Sequence, residues 1–166
     1  DQKAYLKASN IGEDDEFGAS VAISGDYAIV GAHYESSNSI TDQNNDSAGS
    51  SGAAYIFKTS DSGETWTQTG YLKASNIDNN DEFGWSVAIS GDYAIVGAWG
   101  EGSNSINDQN NNSAGSSGAA YIFKTSDSGQ TWTQTAYLKA SNPDNDDSFG
   151  YSVAIIGDNV IVGAHS

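Results

Sequence analysis

Three polar loops carry the residues best suited to chemistry. They read Asn10-Ile11-Gly12-Glu13-Asp14-Asp15-Glu16, Asn76-Ile77-Asp78-Asn79-Asn80-Asp81-Glu82 and Asn142-Pro143-Asp144-Asn145-Asp146-Asp147-Ser148. Asn142, Asp144 and Asp146 alternate, which is the spacing by which a loop turns oxygen ligands toward one centre. Calcium takes about six to eight such oxygens. Asp14, Asp15, Asp78, Asp81, Asp144, Asp146 and Asp147 are therefore candidate Ca2+ ligands, and a second loop set adds Glu35, Asp42, Asp46, Glu101 and Asp108. The glycine and the closing glutamate of an EF-hand are missing. The same loops thus also read as solvated turns capped by Asx side chains.

Aromatic residues form a second candidate site. The position after a recurring Phe-Gly pair holds Ala19, Trp85 and Tyr151, and a position one strand later holds His33, Trp99 and His165. Trp85, Trp99 and Tyr151 are candidate ligand-binding residues that could stack on a sugar ring, or they pack between structural units. No catalytic residues are expected: neither a nucleophile–base set nor a histidine cluster repeats, since Trp99 stands where His33 and His165 do. Paired acids alone leave glycoside hydrolysis without positioned groups.

The balance of charge narrows the partners. The chain has 166 residues with 22 acidic and 6 basic side chains, a formal net charge of −16, and all six cations are lysines. Nucleic acid is excluded as an ordinary partner, because its binders need a basic footprint. Anionic membranes are disfavoured for the same reason, and no apolar run is long enough to insert in a bilayer. With no cysteine there are neither disulfides nor thiolate sites.

These residues are positioned by an internal repeat. Tyr5-Leu6-Lys7-Ala8-Ser9-Asn10 returns at Tyr71 and again at Tyr137, 66 residues apart each time. Each unit reads as four strands: A over 17–24, B over 27–33, C over 53–58 and D over 66–73. Gly25-Asp26 turns A into B, and Ser60-Asp61-Ser62-Gly63 turns C into D. No segment has a helical period. The expected fold is all-β, with blades of four antiparallel strands forming about two and a half blades of a β-propeller. Residues 1–8 are expected as the last strand of a preceding blade, 9–74 as the first repeat, 75–140 as the second, and 141–166 as the first half of a third. A propeller closes with about four to eight blades, so the remaining blades must come from a longer chain or from other copies of this one.

Phe17-Gly18 with Gly31-Ala32, Phe83-Gly84 with Gly97-Ala98, and Phe149-Gly150 with Gly163-Ala164 resemble the FG-GAP repeat, which builds integrin α-subunit propellers and many bacterial surface proteins. A second resemblance is carried by Thr59-Ser60-Asp61-Ser62-Gly63-Glu64-Thr65-Trp66 and its copy from Thr125 to Trp132, which look like the Asp-box of sialidase-type propellers. That likeness implies a structural role for Asp61, Gly63, Trp66, Asp127, Gly129 and Trp132 in the hairpin between C and D. Integrin repeats hold calcium between A and B. Here that connection is only Ser24-Gly25-Asp26, too short to cage a cation, so Asp26, Asp92 and Asp158 read as turn residues. Sialidase chemistry resembles capture of a sugar carboxylate by arginines, and this chain has none. The resemblance implies a non-enzymatic extracellular or cell-surface module, bacterial in type, that acts as a structural or adhesive scaffold, and the acidic loops add the expectation that calcium stabilises it. The alternatives are a lectin-like propeller binding a cell-surface glycan or protein, and a repeat that self-assembles into rings or filaments.

Overall fold

The computed structural model describes residues 1–165. Ten strands make three sheets, and the described residues contain no helix. The first sheet joins β1 (Ser20–Ser24), β2 (Tyr27–Ala32), β3 (Ala53–Lys58) and β4 (Thr67–Leu72) in chain order. The second joins β5 (Ser86–Ser90), β6 (Tyr93–Ala98), β7 (Ala119–Lys124) and β8 (Thr133–Leu138), and the third pairs β9 (Ser152–Ile156) with β10 (Asn159–Gly163). Every ladder is antiparallel, so each sheet is a meander that needs only local connections.

The blades stack face to face, with β1, β5 and β9 side by side. The larger core lies between the first two blades. Ile29, Ala54 and Ile56 of the first meet Val87, Ile89, Ala94, Val96, Tyr121 and Phe123 of the second, all buried. A smaller core covers the opposite face of the first blade, where Ala8 joins Val30, Tyr55 and Phe57, with Leu6, Phe17 and Trp66 packed against them.

This stacking gives a physical reason for the Phe-Gly and Gly-Ala pairs. A Cβ on Gly31 would collide with the carbonyl oxygen of Gly84 in the next blade, and Gly97 meets Gly150 in the same way. Ser20 Oγ donates to that Gly84 carbonyl at 2.6 Å, and Ser86 Oγ to Gly150 at 2.7 Å. The motif is therefore a seam between neighbouring blades, where side chains must vanish for two backbones to touch.

Three expectations need correction. Strand A does not begin at Phe17: β1 starts at Ser20, because Gly18 has φ +103° and leads the chain out of the extended region. Residues 1–8 form no strand. Among the described residues no strand pairs with them, although Leu6 and Ala8 pack against the first blade. Strand D also runs slightly shorter than expected, Thr67–Leu72.

Candidate functional site

The two polar loop sets meet on one face, as the blade topology requires. The loop before β5 is tied to the loop between β2 and β3 by Asn80 N–H to Gly49 O, Glu82 N–H to Ser50 O and Phe83 N–H to Ser51 O. The same seam recurs one repeat later, with Asp146 N–H donating to Gly115 O and Ser148 N–H to Ser116 O.

At the bottom of this face each of the two full repeats buries an ion pair. Lys73 Nζ donates to Glu35 Oε2 at 2.8 Å and to Ser51 Oγ at 2.8 Å. Asn10 Nδ2 and the Tyr71 hydroxyl donate to Glu35 Oε1, and the Tyr55 hydroxyl donates to Asn10 Oδ1 at 2.7 Å. The second repeat rebuilds this network, with Lys139 on Glu101 at 2.5 Å, Asn76 on Glu101 at 3.2 Å and Tyr121 on Asn76 at 2.8 Å. Burial pulls both lysines below the ordinary ammonium pKa, and the glutamate beside each opposes it. Burial likewise drives the Tyr55 and Tyr121 hydroxyls upward. Sequence reasoning placed Glu35 and Glu101 among exposed ligand oxygens. It missed Lys73 and Lys139, whose one signal was the recurrence of Lys at a strand end and Glu at a loop start at a fixed offset.

The acidic candidates divide by their surroundings. Asp14, Asp78, Asp144 and Asp146 are exposed. Asp15 Oδ2 accepts from Gly12 N–H at 2.9 Å and Asp147 Oδ2 from Asp144 N–H at 2.8 Å, so both carboxylates cap their own turn. Asp78 accepts from Asn79 N–H and from the Asn112 amide. Asp14, Asn80 and Asp146 all take φ near +63°, the left-handed position of these turns. Asp81 differs: it is buried, its Oδ2 has no partner, and burial together with Glu101 and Asp78 pushes its pKa up to about 8. Among the described residues no group of three or more His, Cys, Asp or Glu side chains gathers around one point.

The aromatic candidates come together. Trp85 lies 5.7 Å from Trp99 and 5.4 Å from Tyr151 between ring centres, and Tyr151 stacks on His165 at 4.9 Å. The row continues from Trp85 to His33 at 4.9 Å and from His33 to Tyr34 at 4.2 Å. Trp99 Nε1 donates to Glu82 Oε2 at 3.0 Å, and His33 Nε2 faces Glu16 Oε2 at 3.4 Å. These rings thus run across all three blades rather than pointing singly into solvent.

The hairpin residues act as structure. Thr59 Oγ1 donates to Asp61 Oδ1 and accepts from Gly63 N–H, while Asp61 accepts from the backbone and hydroxyl of Thr65. Asp127 repeats these bonds with Thr125 and Thr131. The Thr65 and Thr131 hydroxyls first, then the backbone donors, hold both aspartates at a pKa of about 2. Trp66 Nε1 donates to Gly63 O at 3.2 Å, whereas Trp132 Nε1 finds no partner and the ring instead meets Tyr27 of the preceding blade edge-on at 5.8 Å.

A family model described as FG-GAP repeat matches residues 1–57, 66–123 and 132–166. No curated protein matches the chain.

Proposed function

The chain belongs to the FG-GAP repeat family, and on that premise we propose that it is a non-enzymatic extracellular propeller module serving as a structural and adhesive scaffold. Repeats of this family are typically extracellular, and no helix among the described residues is long and apolar enough to cross a membrane. One observation carries the scaffold reading. Val21 and Ile23 are each 68% exposed on the outer face of the first blade, whereas their equivalents Val87 and Ile89 are 8% and 6% exposed against a neighbouring blade. At the other end Ile161 is 73% exposed where Ile29 and Ile95 are fully buried. Both end faces have the residues of a blade–blade seam and lack the blade. Further repeats of a longer chain, or other copies, are the partners that fit.

The test adds a repeat. A second copy of residues 9–66 is fused ahead of Asp1, so that residues 1–8 follow it at the 66-residue period, and thermal unfolding is compared with that of the original chain. In stacked repeats stability is a sum of units and their interfaces, so the extended protein should melt several degrees higher, with the Val21 and Ile23 amides newly protected from exchange. An unchanged midpoint and unprotected amides would end the reading.

Calcium stabilisation is a second part of the proposal, favoured by the partnerless buried oxygen of Asp81. A cation there would replace the proton that burial holds on this carboxyl. Calcium at a hundredfold excess over its dissociation constant would add about 2.7 kcal/mol, and the gain should be larger at pH 9 than at pH 6. Identical unfolding in millimolar calcium and in EDTA at both pH values would remove calcium from the account.

A further inference from the structure

Each buried ion pair holds a third group. Glu35 accepts from Lys73 Nζ through Oε2 at 2.8 Å and from Asn10 Nδ2 through Oε1 at 3.1 Å. One carboxylate thus gathers an amine and a carboxamide that lie 63 residues apart in the chain. The Tyr55 hydroxyl donates to the oxygen of that carboxamide, Asn10 Oδ1, at 2.7 Å. The second repeat assembles the same four groups. Glu101 accepts from Lys139 at 2.5 Å and from Asn76 at 3.2 Å, and the Tyr121 hydroxyl donates to Asn76 Oδ1 at 2.8 Å. Both lysine side chains are fully buried, and both glutamate side chains are 1% exposed.

These are the parts of an acyl transfer. A desolvated lysine becomes a nucleophile once it gives up its proton. Burial favours a neutral amine beside a neutral acid over the separated charges, and it draws both lysines below the ordinary ammonium pKa. Glu35 lies within hydrogen-bond reach of both nitrogens, about 2.6–3.2 Å, so it can carry a proton from one to the other. Burial pushes the Tyr55 hydroxyl up and keeps it a donor. It is aimed at the oxygen where negative charge builds when an amine adds to the Asn10 Cγ.

We propose that Lys73 condenses with Asn10, and Lys139 with Asn76, to give one isopeptide bond within each full repeat. Glu35 first takes a proton from Nζ, and the free amine attacks Cγ. That proton passes on to Nδ2, a second proton moves from Nζ to Glu35, and the Cγ–Nδ2 bond breaks. Ammonia leaves, a Cγ–Nζ amide remains, and Glu35 ends as a neutral acid. The balance needs no oxidant, metal or cofactor. A buried ion pair is exchanged for two neutral groups, which lowers the desolvation cost of the site. Asn142 stands at the same repeat position, but among the described residues it has neither a lysine nor a glutamate on it, so it stays unlinked. The bonds tie the start of each blade to its end. A pull along the chain would then pass from Asn10 to Lys139 through two covalent links and leave the blades between them folded. Such a chain suits a scaffold, yet the reaction needs only the folded repeat and stands or falls apart from that reading.

The test is the intact mass of the full chain under denaturing conditions, followed by tryptic digestion and tandem mass spectrometry. The mass should fall short of the sequence mass by two ammonias. Trypsin should leave Lys73 and Lys139 uncut, with the peptide of Asn10 joined to that of Lys73 and the peptide of Asn76 joined to that of Lys139. Glu35→Gln keeps the side-chain shape and removes the proton carrier, and Asn10→Ala removes the acceptor carbon while keeping the ion pair. Each should reduce the shortfall to one ammonia. The unsubstituted chain decides by itself if either variant fails to fold. The full sequence mass, ammonia loss without joined peptides (as a cyclised asparagine would give), or both losses retained in either variant would each overturn the assignment.

Discussion

The first and second blades have nearly the same sequence and meet different surroundings. The Lys139–Glu101 pair lies beneath a loop whose Asp81 is buried, whereas the matching Asp15 above the Lys73–Glu35 pair is half-buried and bonded to its own turn. Val87 and Ile89 are sealed between blades, and Val21 and Ile23 stand in solvent. Since the residues are the same, the difference belongs to the neighbour and not to the strand. A blade of this kind has only part of its own core; the rest is made at the seam.

Breaking the buried pair should have the largest effect. Lys73→Met leaves Glu35 buried and uncompensated, and breaking such a pair costs about 3–5 kcal/mol. Lys7 occupies the same repeat position but is exposed, with no ion pair among the described residues, so Lys7→Met should be nearly silent. Chemical denaturation of the two variants sharpens the comparison, and equal losses would break it.

The second effect is on pH dependence. The folded-state pKa of Asp81 is raised from 3.8 to about 8. Its contribution to stability is therefore complete below the unfolded value and is lost as pH rises through the folded one. Between pH 4 and 8 the slope is at most about 1.4 kcal/mol per pH unit. Asp81→Asn should flatten that slope, and Asp15→Asn should change it less, because Asp15 is less buried and its upward shift is opposed by the Gly12 N–H. Asp61 and Asp127, held near 2, act in the opposite sense: their contribution is present above the ordinary carboxylate range and is lost as pH falls toward 2. Urea titrations at steps from pH 3 to 9 read both limbs.

The smallest effect is local. Thr125→Val removes the hydroxyl that accepts from Gly129 N–H at 2.9 Å and donates to Asp127 at 2.8 Å, at a cost of about 1 kcal/mol. Thr59→Val should cost about the same, since both hairpins are closed by the same bonds, although the second also meets the preceding blade through Tyr27 and Lys58. A large difference between the two would mean that the seam reaches further than the core residues indicate.

Much of the fold could be read from the chain. The 66-residue period, the Gly25-Asp26 turn and the Thr59–Trp66 hairpin locate the four strands of each blade to within three residues. They do so because turns and hairpins are local chemistry. What could not be read depends on contacts between distant segments. Glu35 looked like a loop carboxylate until the fold brought Lys73 onto it, 38 residues away. Residues 1–8 repeat the sequence of a last strand, and only the structure shows that among the described residues they pair with no other strand. Ala19 stood out against Trp85 and Tyr151 as a sequence difference, and only the geometry of the aromatic row turned that difference into a cavity.

The most direct measurement sets Ile89→Ala against Ile23→Ala in equilibrium unfolding of the same chain. The account predicts a loss of about 2–4 kcal/mol for Ile89, which is sealed in the seam, and less than about 0.5 kcal/mol for Ile23, which has the same sequence neighbours and no blade beside it. Equal losses at the two positions would contradict the claim that the repeats complete their cores across the blade seam.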